Sequence, residues 1–169
     1  MTLTLIAATD ENGLLADEGG IPWHLPKDIA HFRRYTQGKW LLLGRRTFEE
    51  MRGWFKDHTP LVLSSTCGYD PDIGHVVASV PQALALAQSA GQSELVCCGG
   101  AQTYAAALPY ADRLVLTQVH HRFTPQSQAA YFPPWQPGEW QLHDRTELGQ
   151  DAENEWSMSV QTLVRVPKA

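Results

Sequence analysis

The sequence lacks a membrane-spanning segment, an excess of positive charge and a cysteine framework. No apolar run approaches the roughly 20 residues that cross a bilayer, and Met1–Ala8 has no basic residue and is expected to form a first β-strand, not a signal peptide. The net charge of −5 argues against a nucleic-acid-binding surface. The three cysteines are Cys67, Cys97 and Cys98. Their odd number fits a reduced, cytoplasmic protein. No Cys/His spacing is typical of zinc, so no metal site is expected.

The composition of the sequence is that of an ordinary globular protein. Its 169 residues are 43% hydrophobic and 18% charged, which suits one domain over residues 1–169, and no repeat or linker divides it. Apolar runs alternate with helical patterns, which predicts a three-layer α/β fold: a mainly parallel sheet with helices on both faces. The predicted strands are Leu3–Ala8, Trp40–Leu43, Leu61–Ser64, Val76–Val77, Leu95–Cys98 and Leu114–Val119, and the predicted helices are Pro26–Thr36, Arg46–Met51, Val80–Ala90 and Ala101–Leu108.

The C-terminal part has a different pattern. Apolar and polar residues alternate over Trp140–Leu148 and Trp156–Val166, on either side of a polar turn. Such alternation predicts an antiparallel hairpin at one edge of the sheet. The segment before it, Thr124–Pro137, is polar and proline-rich and is expected to be a loop within the domain.

One acidic residue stands among apolar ones near the start of the first helix. Asp28 follows Trp23 and Leu25 and precedes Ile29 and Phe32. Removing a carboxylate from water costs several kcal/mol unless it is paired or neutralised. Asp28 is therefore a candidate for anchoring a ligand or for acid/base chemistry.

Three further motifs follow predicted strands, where ligands bind in open α/β sheets. In Leu43-Gly44-Arg45-Arg46-Thr47, two arginines open a helix whose N-terminus favours phosphate, although an exposed basic turn is an equally good interpretation. Cys98-Gly99-Gly100-Ala101-Gln102 is a glycine-rich turn but not the dinucleotide-binding fingerprint, and by itself it favours a tight turn. Leu63-Ser64-Ser65-Thr66 offers hydroxyl groups that often only cap turns.

Taken in order, these motifs resemble bacterial dihydrofolate reductase from Leu3 to about Trp135. The segments that carry the resemblance are Pro22-Trp23-x-Leu25-Pro26-x-Asp28-x-x-x-Phe32, Leu43-Gly44-Arg45-x-Thr47, Leu63-Ser64-Ser65, Gly99-Gly100-Ala101-Gln102-x-Tyr104, Leu116-Thr117 and Phe132-Pro133. The resemblance implies a dihydrofolate-reductase-like fold and hydride transfer from NADPH to C6 of a 7,8-dihydropterin, with N5 protonated from solvent. It also implies a small-molecule substrate, no metal and a monomer.

The resemblance assigns a role to each matching residue. Asp28 would accept hydrogen bonds from the pterin 2-amino group and N3, Thr117 would steady Asp28 directly and through water, and Trp23 would complete the catalytic set. The implied substrate-binding residues are Ala8, Ile21, Ile29, Phe32, Arg33, Met51, Phe55, His58 and Cys98. The implied NADPH-binding residues are Ala7, Leu15, Gly44, Arg45, Arg46, Thr47, Leu63, Ser64, Ser65, Gly99, Gly100, Ala101, Gln102, Thr103 and Tyr104.

Three more features follow from the resemblance. Arg45 and Ser65 would favour the 2′-phosphate of NADPH over NADH, and the Gly99–Gly100 peptide bond would be cis. Residues Asp10–His24 would form a mobile loop that closes over the nicotinamide and excludes water.

The sequence departs from the family's pattern where the substrate's tail is bound. His58 stands where an arginine grips the α-carboxylate of the glutamate tail, and a histidine lacks the two-pronged guanidinium. Lys56, Arg33 and Arg52 are candidate replacements. The loop also has Ala16 at a usual glycine position, and Gln128–Tyr131 contains no acidic residue to help the loop close.

These departures leave more than one function open. The first is reduction of dihydrofolate, and the second is reduction of dihydromethanopterin, whose arylamine lacks the α-carboxylate. The reductase of riboflavin synthesis shares the fold, but the spacing of Trp23 and Asp28 argues against it. A pterin-binding protein without activity is a further alternative, given little weight because Asp28 and Thr117 are both present.

Overall fold

An eight-stranded sheet forms the centre of the protein in the computed structural model, which describes residues 1–66 and 68–167. Its strand order is β5-β4-β3-β6-β1-β7-β10-β9. The strands are β1 (Thr2–Thr9), β3 (Trp40–Gly44), β4 (Thr59–Leu63), β5 (His75–Val77), β6 (Glu94–Cys97), β7 (Arg113–Val119), β9 (Trp140–Leu148) and β10 (Met158–Arg165). A separate two-stranded sheet pairs β2 (Leu14–Ala16) with β8 (Ala130–Tyr131).

The predicted topology is confirmed. Strands β1 and β3 to β7 run parallel to their neighbours, while β10 pairs antiparallel with both β7 and β9 at one edge. The helices are α1 (Pro26–Thr36), α2 (Arg45–Glu50), α3 (Val80–Ser89) and α4 (Ala101–Ala107), with short 3₁₀ turns at Leu108–Tyr110 and Pro137–Glu139. Within the described residues, no helix is long and apolar enough to span a bilayer.

The two faces of the sheet carry separate apolar clusters. Along β1, alternate side chains point to opposite faces. Leu3 and Leu5 lie in a cluster with α3 and α4, whereas Ile6 lies in a cluster with aromatic residues of α1 and α2. A third cluster, around Trp23 and Leu25, packs against the ends of β7 and β10. These clusters explain the three layers, because each helix buries its apolar side on one face.

Two strands and several boundaries differ from the predictions. β2 and β8 are three and two residues long and pair across more than 100 residues of chain, so no local pattern marks them. The second helix begins at Arg45, directly after the strand, and not at Arg46. In α3 the Ser79 hydroxyl caps the start by accepting from the Gln82 N–H at 3.2 Å.

Candidate active site

Asp28 lies in the first turn of α1, and its carboxylate has no cationic partner among the residues that the structure describes. Its backbone N–H donates to Leu25 O at 3.0 Å, and the buried side chains of Trp23 and Leu25 precede it. Burial raises the pKa of Asp28 from its usual 3.8 to about 6, and hydrogen bonding by the Trp23 side chain opposes this only in part. The site thus holds a desolvated acid that is ionised at neutral pH and available to a ligand.

Thr117 lies on β7, between Ala8 on β1 and Val160 on β10. It is 2% exposed, which is consistent with a residue at the base of a site. Within the described part of the chain no hydrogen bond joins its hydroxyl to Asp28, so the direct contact expected from the sequence is not found. The water-mediated contact stays a prediction.

The ends of β3 and β6 meet in a tightly packed corner. Gly44 N–H donates to Gly99 O at 2.8 Å, and a Cβ atom at Gly44 would lie 2.7 Å from the Thr103 hydroxyl. The Gly99–Gly100 peptide bond is cis, as predicted. The Tyr104 hydroxyl donates to Ile6 O at 2.6 Å and fixes α4 beneath this corner.

Glycine is needed at this corner for space as well as for backbone shape. At Gly99 φ is +107°, and a Cβ there would lie 3.0 Å from the Tyr104 ring. A Cβ at Gly100 would lie 3.3 Å from the Thr47 hydroxyl on α2. No side chain caps the first turn of α2 or α4, so the N–H groups there, including those of Ala101 and Gln102, have no side-chain acceptor. The donor set therefore fits a phosphate-bearing cofactor.

The two predicted phosphate-binding arginines are exposed and paired with glutamates one turn along α2. Arg45 Nε lies 3.2 Å from Glu49 Oε1, and Arg46 Nε lies 3.2 Å from Glu50 Oε1. The Arg45 guanidinium also lies 4.2 Å from the centre of the Tyr69 ring. Exposed pairs of this kind contribute at most about 1 kcal/mol, so a phosphate can replace the glutamates.

Ser64 and Ser65 follow β4 beside these arginines. The Ser64 N–H donates to Val77 O at 3.1 Å, and its hydroxyl accepts from the Thr66 N–H at 3.1 Å. Ser65 is exposed. Cys67, which follows, lies outside the described residues.

The apolar members of the predicted cofactor and substrate sets lie largely in different clusters, whereas Arg45, Arg46 and Thr47 of the cofactor set are on α2. Four of the cofactor set, Ala7, Leu15, Leu63 and Tyr104, belong to the cluster on the α3/α4 face. Four of the substrate set, Phe32, Met51, Phe55 and Cys98, belong to the cluster on the α1/α2 face. Ala8 packs with Trp23 in the third cluster. Ile21 and Ile29 are 64% and 37% exposed, so neither is packed into a pocket wall in this structure.

An open cleft of about 1030 Å³ lies between α1 and residues 53–58. It is lined by Ala30, Arg33, Arg34, Gln37, Gly53, Trp54, Lys56, Asp57 and His58. Arg33, Arg34 and Lys56 make this cleft cationic, and Asp57 is its one acidic side chain among the described residues. Arg52, a candidate from the sequence, pairs with Asp72 at 3.8 Å and does not line it.

The family model described as "Dihydrofolate reductase" matches residues 2–165. The chain belongs to the dihydrofolate reductase family. It is 32% identical over 152 residues to dihydrofolate reductase from Bacillus subtilis, which covers 90% of this chain and 88% of the relative. It is 34% identical to dihydrofolate reductase type 3 from Salmonella typhimurium, over 98% of this chain and 99% of the relative.

A solved structure agrees with the sequence relatives. Dihydrofolate reductase from Enterococcus faecalis, complexed with NADP(H) and RAB-propyl, superposes with a TM-score of 0.86 at 31% identity. The match covers 97% of this chain and 96% of that one. The order of strands and helices is therefore that of a dihydrofolate reductase.

Residues 10–24, predicted to form a mobile loop, contact residues 126 and 127 through two carboxylates. Asp17 Oδ2 accepts from the Gln126 N–H at 3.0 Å, and Glu18 Oε2 accepts from the Ser127 hydroxyl at 2.9 Å. The acidic residues, Asp17 and Glu18, therefore lie on the predicted loop. Their donors lie just before Gln128–Tyr131, the segment that contains no acidic residue. Closure of this segment over the nicotinamide stays a prediction.

The sequence did not single out Asp17, Glu18, Arg34 or Trp54. The contacts of Asp17 with Gln126 and of Glu18 with Ser127 join residues more than 100 positions apart, which no local spacing reveals. Arg34 could have been found from helical periodicity, because it is adjacent to Arg33 and one turn from Ala30, both of which line the cleft.

Proposed function

We propose that the protein reduces 7,8-dihydrofolate to tetrahydrofolate with NADPH, acting as a monomer on a small-molecule substrate. Membership of the dihydrofolate reductase family supports this. The observation that carries the proposal is Asp28, a desolvated carboxylate with a hydrogen bond from Trp23 but no cationic partner among the described residues. A buried acid of this kind is costly unless a ligand with hydrogen-bond donors meets it.

Asp28 binds and orients the pterin in this proposal. With a pKa of about 6 it is largely ionised at pH 7 and accepts hydrogen bonds from the pterin 2-amino group and N3. Charge-assisted hydrogen bonds in a desolvated site are stronger than neutral ones, so they hold the ring in one orientation. The Trp23 side chain hydrogen-bonds the carboxylate, and Thr117 is proposed to steady it through water. Asp28 lies at the anchored end of the ring, so N5 takes its proton from solvent.

NADPH, when bound, supplies the hydride that reduces C6. Its phosphates are assigned to the free N–H groups at the start of α4 and to Arg45, Arg46 and Thr47 on α2. Arg45 and Ser65 are assigned to the 2′-phosphate. The corner formed by Gly44, Gly99 and Gly100 supports this assignment, because side chains there would fill the space between the two helix starts.

The substrate's tail is proposed to lie in the cleft between α1 and residues 53–58. Arg33, Arg34 and Lys56 give this cleft the charge that a glutamate tail requires, and this favours dihydrofolate. His58 is the observation that favours dihydromethanopterin, because it replaces the arginine expected for the α-carboxylate. Dihydromethanopterin reductase is therefore the second candidate function.

The test of the proposed chemistry is Asp28→Asn, assayed by NADPH oxidation with dihydrofolate. We expect kcat/KM to fall by about 100-fold or more, because the pterin loses its charged anchor. The Kd for NADPH, measured by fluorescence titration, should stay within about threefold, since Asp28 is not assigned to the cofactor. Near-wild-type turnover by a folded Asp28→Asn variant would refute the assignment.

A further inference from the structure

Helix α1 begins without a side-chain cap of its own. The residue before it is Leu25, which has no polar side chain, and its first residue is Pro26, which has no N–H. The N–H groups of Asp28 and Ile29 donate to Leu25 O at 3.0 and 3.1 Å. The Lys27 N–H is therefore left without an acceptor inside the helix.

This N–H is met by the turn between β9 and β10, 127 residues along the chain. Asn154 Oδ1 accepts from the Lys27 N–H at 3.0 Å, which is the contact of a helix-capping side chain. Asn154 is 2% exposed, and Asp151 Oδ1 accepts from its Nδ2 at 2.9 Å and from its N–H at 2.8 Å. Both ends of this buried amide are thus hydrogen-bonded, and its oxygen is held facing α1.

The Lys27 side chain contacts the same turn. Its Nζ lies 3.0 Å from Asp151 Oδ2 and donates to Gly149 O at 2.9 Å. The two charged side chains are 37% and 46% exposed, so this ion pair alone is weakly stabilising. The contacts hold the ammonium at the turn, which agrees with the lack of a cationic partner for Asp28 among the described residues.

We propose that Asn154 is a positioning residue for the reaction, which caps α1 from the β9–β10 turn and so holds Asp28 in the orientation that the pterin requires. The proposal rests on the proposed function, since it assumes that Asp28 anchors a pterin. Asp28 directly follows the residue whose N–H is capped, and helix ends fray when their N–H groups lack acceptors. Without the cap, the Asp28 carboxylate gains water and loses its fixed direction.

The experiment compares Asn154→Ala with the matched control Lys27→Met. Alanine removes the capping oxygen, whereas methionine removes the ion pair but keeps the backbone N–H and its acceptor. With NADPH and dihydrofolate, we expect Asn154→Ala to lower kcat/KM about 10-fold or more and Lys27→Met to change it less than about threefold. The Kd for NADPH should stay within about threefold in both variants, because this turn is not assigned to the cofactor.

The pH dependence of pterin binding separates positioning from general stability. The affinity for 6-hydroxymethyl-7,8-dihydropterin, measured by tryptophan fluorescence, is expected to fall as Asp28 takes up a proton, with a midpoint at about pH 6 in the wild type. Better solvation of Asp28 lowers its pKa, so the midpoint should move to about pH 5 or below in Asn154→Ala. In Lys27→Met it should stay at about pH 6.

Other titratable groups near the turn and near Asp28 do not account for such a shift; they are Asp151, Glu153, Glu155, His31 and Tyr104. Hydrogen bonds from Asn154 and Lys27 hold the pKa of Asp151 below its usual range, so it stays ionised. Burial raises the pKa of Tyr104 well above its usual value, so it stays neutral. The other three are common to both variants and do not produce a shift confined to Asn154→Ala.

A measurement on the wild type tests the cap without any substitution. The Lys27 amide hydrogen should exchange with solvent as slowly as that of Ile29, because both have acceptors. Rapid exchange at Lys27, or an unmoved midpoint or unchanged kcat/KM in folded Asn154→Ala, would overturn the proposal. Equal losses in Lys27→Met would also overturn it, because they would assign the effect to the ion pair. Failure of the wild type to bind the pterin would instead contradict the proposed function.

Discussion

Replacing Asp28 by asparagine is expected to stabilise the fold while it removes activity. In the unfolded chain the Asp28 carboxyl has its usual pKa of 3.8, whereas burial raises the pKa to about 6 in the folded protein. Between these pH values the folded protein binds more protons, so its stability falls as the pH rises. A shift of this size corresponds to about 2–3 kcal/mol, with the full cost present above about pH 6.

The assay is urea denaturation of the free protein and of Asp28→Asn between pH 4 and pH 8. We expect a gain near zero at pH 4 that rises to about 2–3 kcal/mol at pH 7.5, because asparagine has no charge to desolvate. Asp144→Asn, on the exposed strand β9, is the matched control and should show no such rise. A variant no more stable than the wild type at pH 7.5, or a gain that is largest in acid, would refute the reasoning.

Three further predictions concern ligands and the loop. Below about pH 6 the affinity for a tail-less dihydropterin should fall, by roughly tenfold at pH 5, as Asp28 takes up a proton, and Asp28→Asn should abolish this dependence in equilibrium titrations. Arg45→Ala should weaken NADPH by about 10- to 100-fold and NADH by less than about threefold; equal losses would remove Arg45 from recognition of the 2′-phosphate. Asp17→Asn should slow single-turnover hydride transfer by several-fold to about tenfold, because a neutral amide is a weaker acceptor for the Gln126 N–H. Glu18→Gln, whose partner is a hydroxyl, should have a smaller effect, and an unchanged rate in Asp17→Asn would exclude the loop contact from catalysis.

The parts of the fold that were predictable are those with a local signal. Helix α1 has the predicted bounds because Pro26 starts it and Gly38 follows its end, and the strands of the parallel sheet are continuous apolar runs. The β2–β8 pairing was not predictable, because its partners are distant in the chain and each strand is too short to show a period.

The candidate site also has residues that were predictable from the sequence and residues that were not. Asp28 stands out in the sequence because a carboxylate among apolar residues is unfavourable unless a ligand meets it. Gly44 and the Gly99–Gly100 turn stand out because glycine at these positions allows neighbouring groups to approach the backbone closely. The environment of His58 was not readable from the sequence, since its buried Nε2 depends on how Trp54 and Lys56 fold around it. Likewise, the glutamate partners of Arg45 and Arg46 follow from helical spacing, but their exposure required the structure.

In the proposed function, the charge of the cleft between α1 and residues 53–58 links the fold to the choice of substrate. Helix α1 carries Asp28, assigned to the pterin, at its start, and Arg33 and Arg34, which line the cleft, near its end. In this proposal one helix joins the residue that selects the ring to the residues that select the tail. A substrate with an anionic tail uses both ends of this helix, whereas a tail-less pterin uses only the first.

The most direct test of the central claim is the value of kcat/KM with saturating NADPH for dihydrofolate, measured beside dihydromethanopterin. The account predicts turnover of dihydrofolate with a preference of more than about tenfold over dihydromethanopterin, because three cations line the tail cleft. A preference of that size in the opposite direction, or no oxidation of NADPH with dihydrofolate, would contradict it.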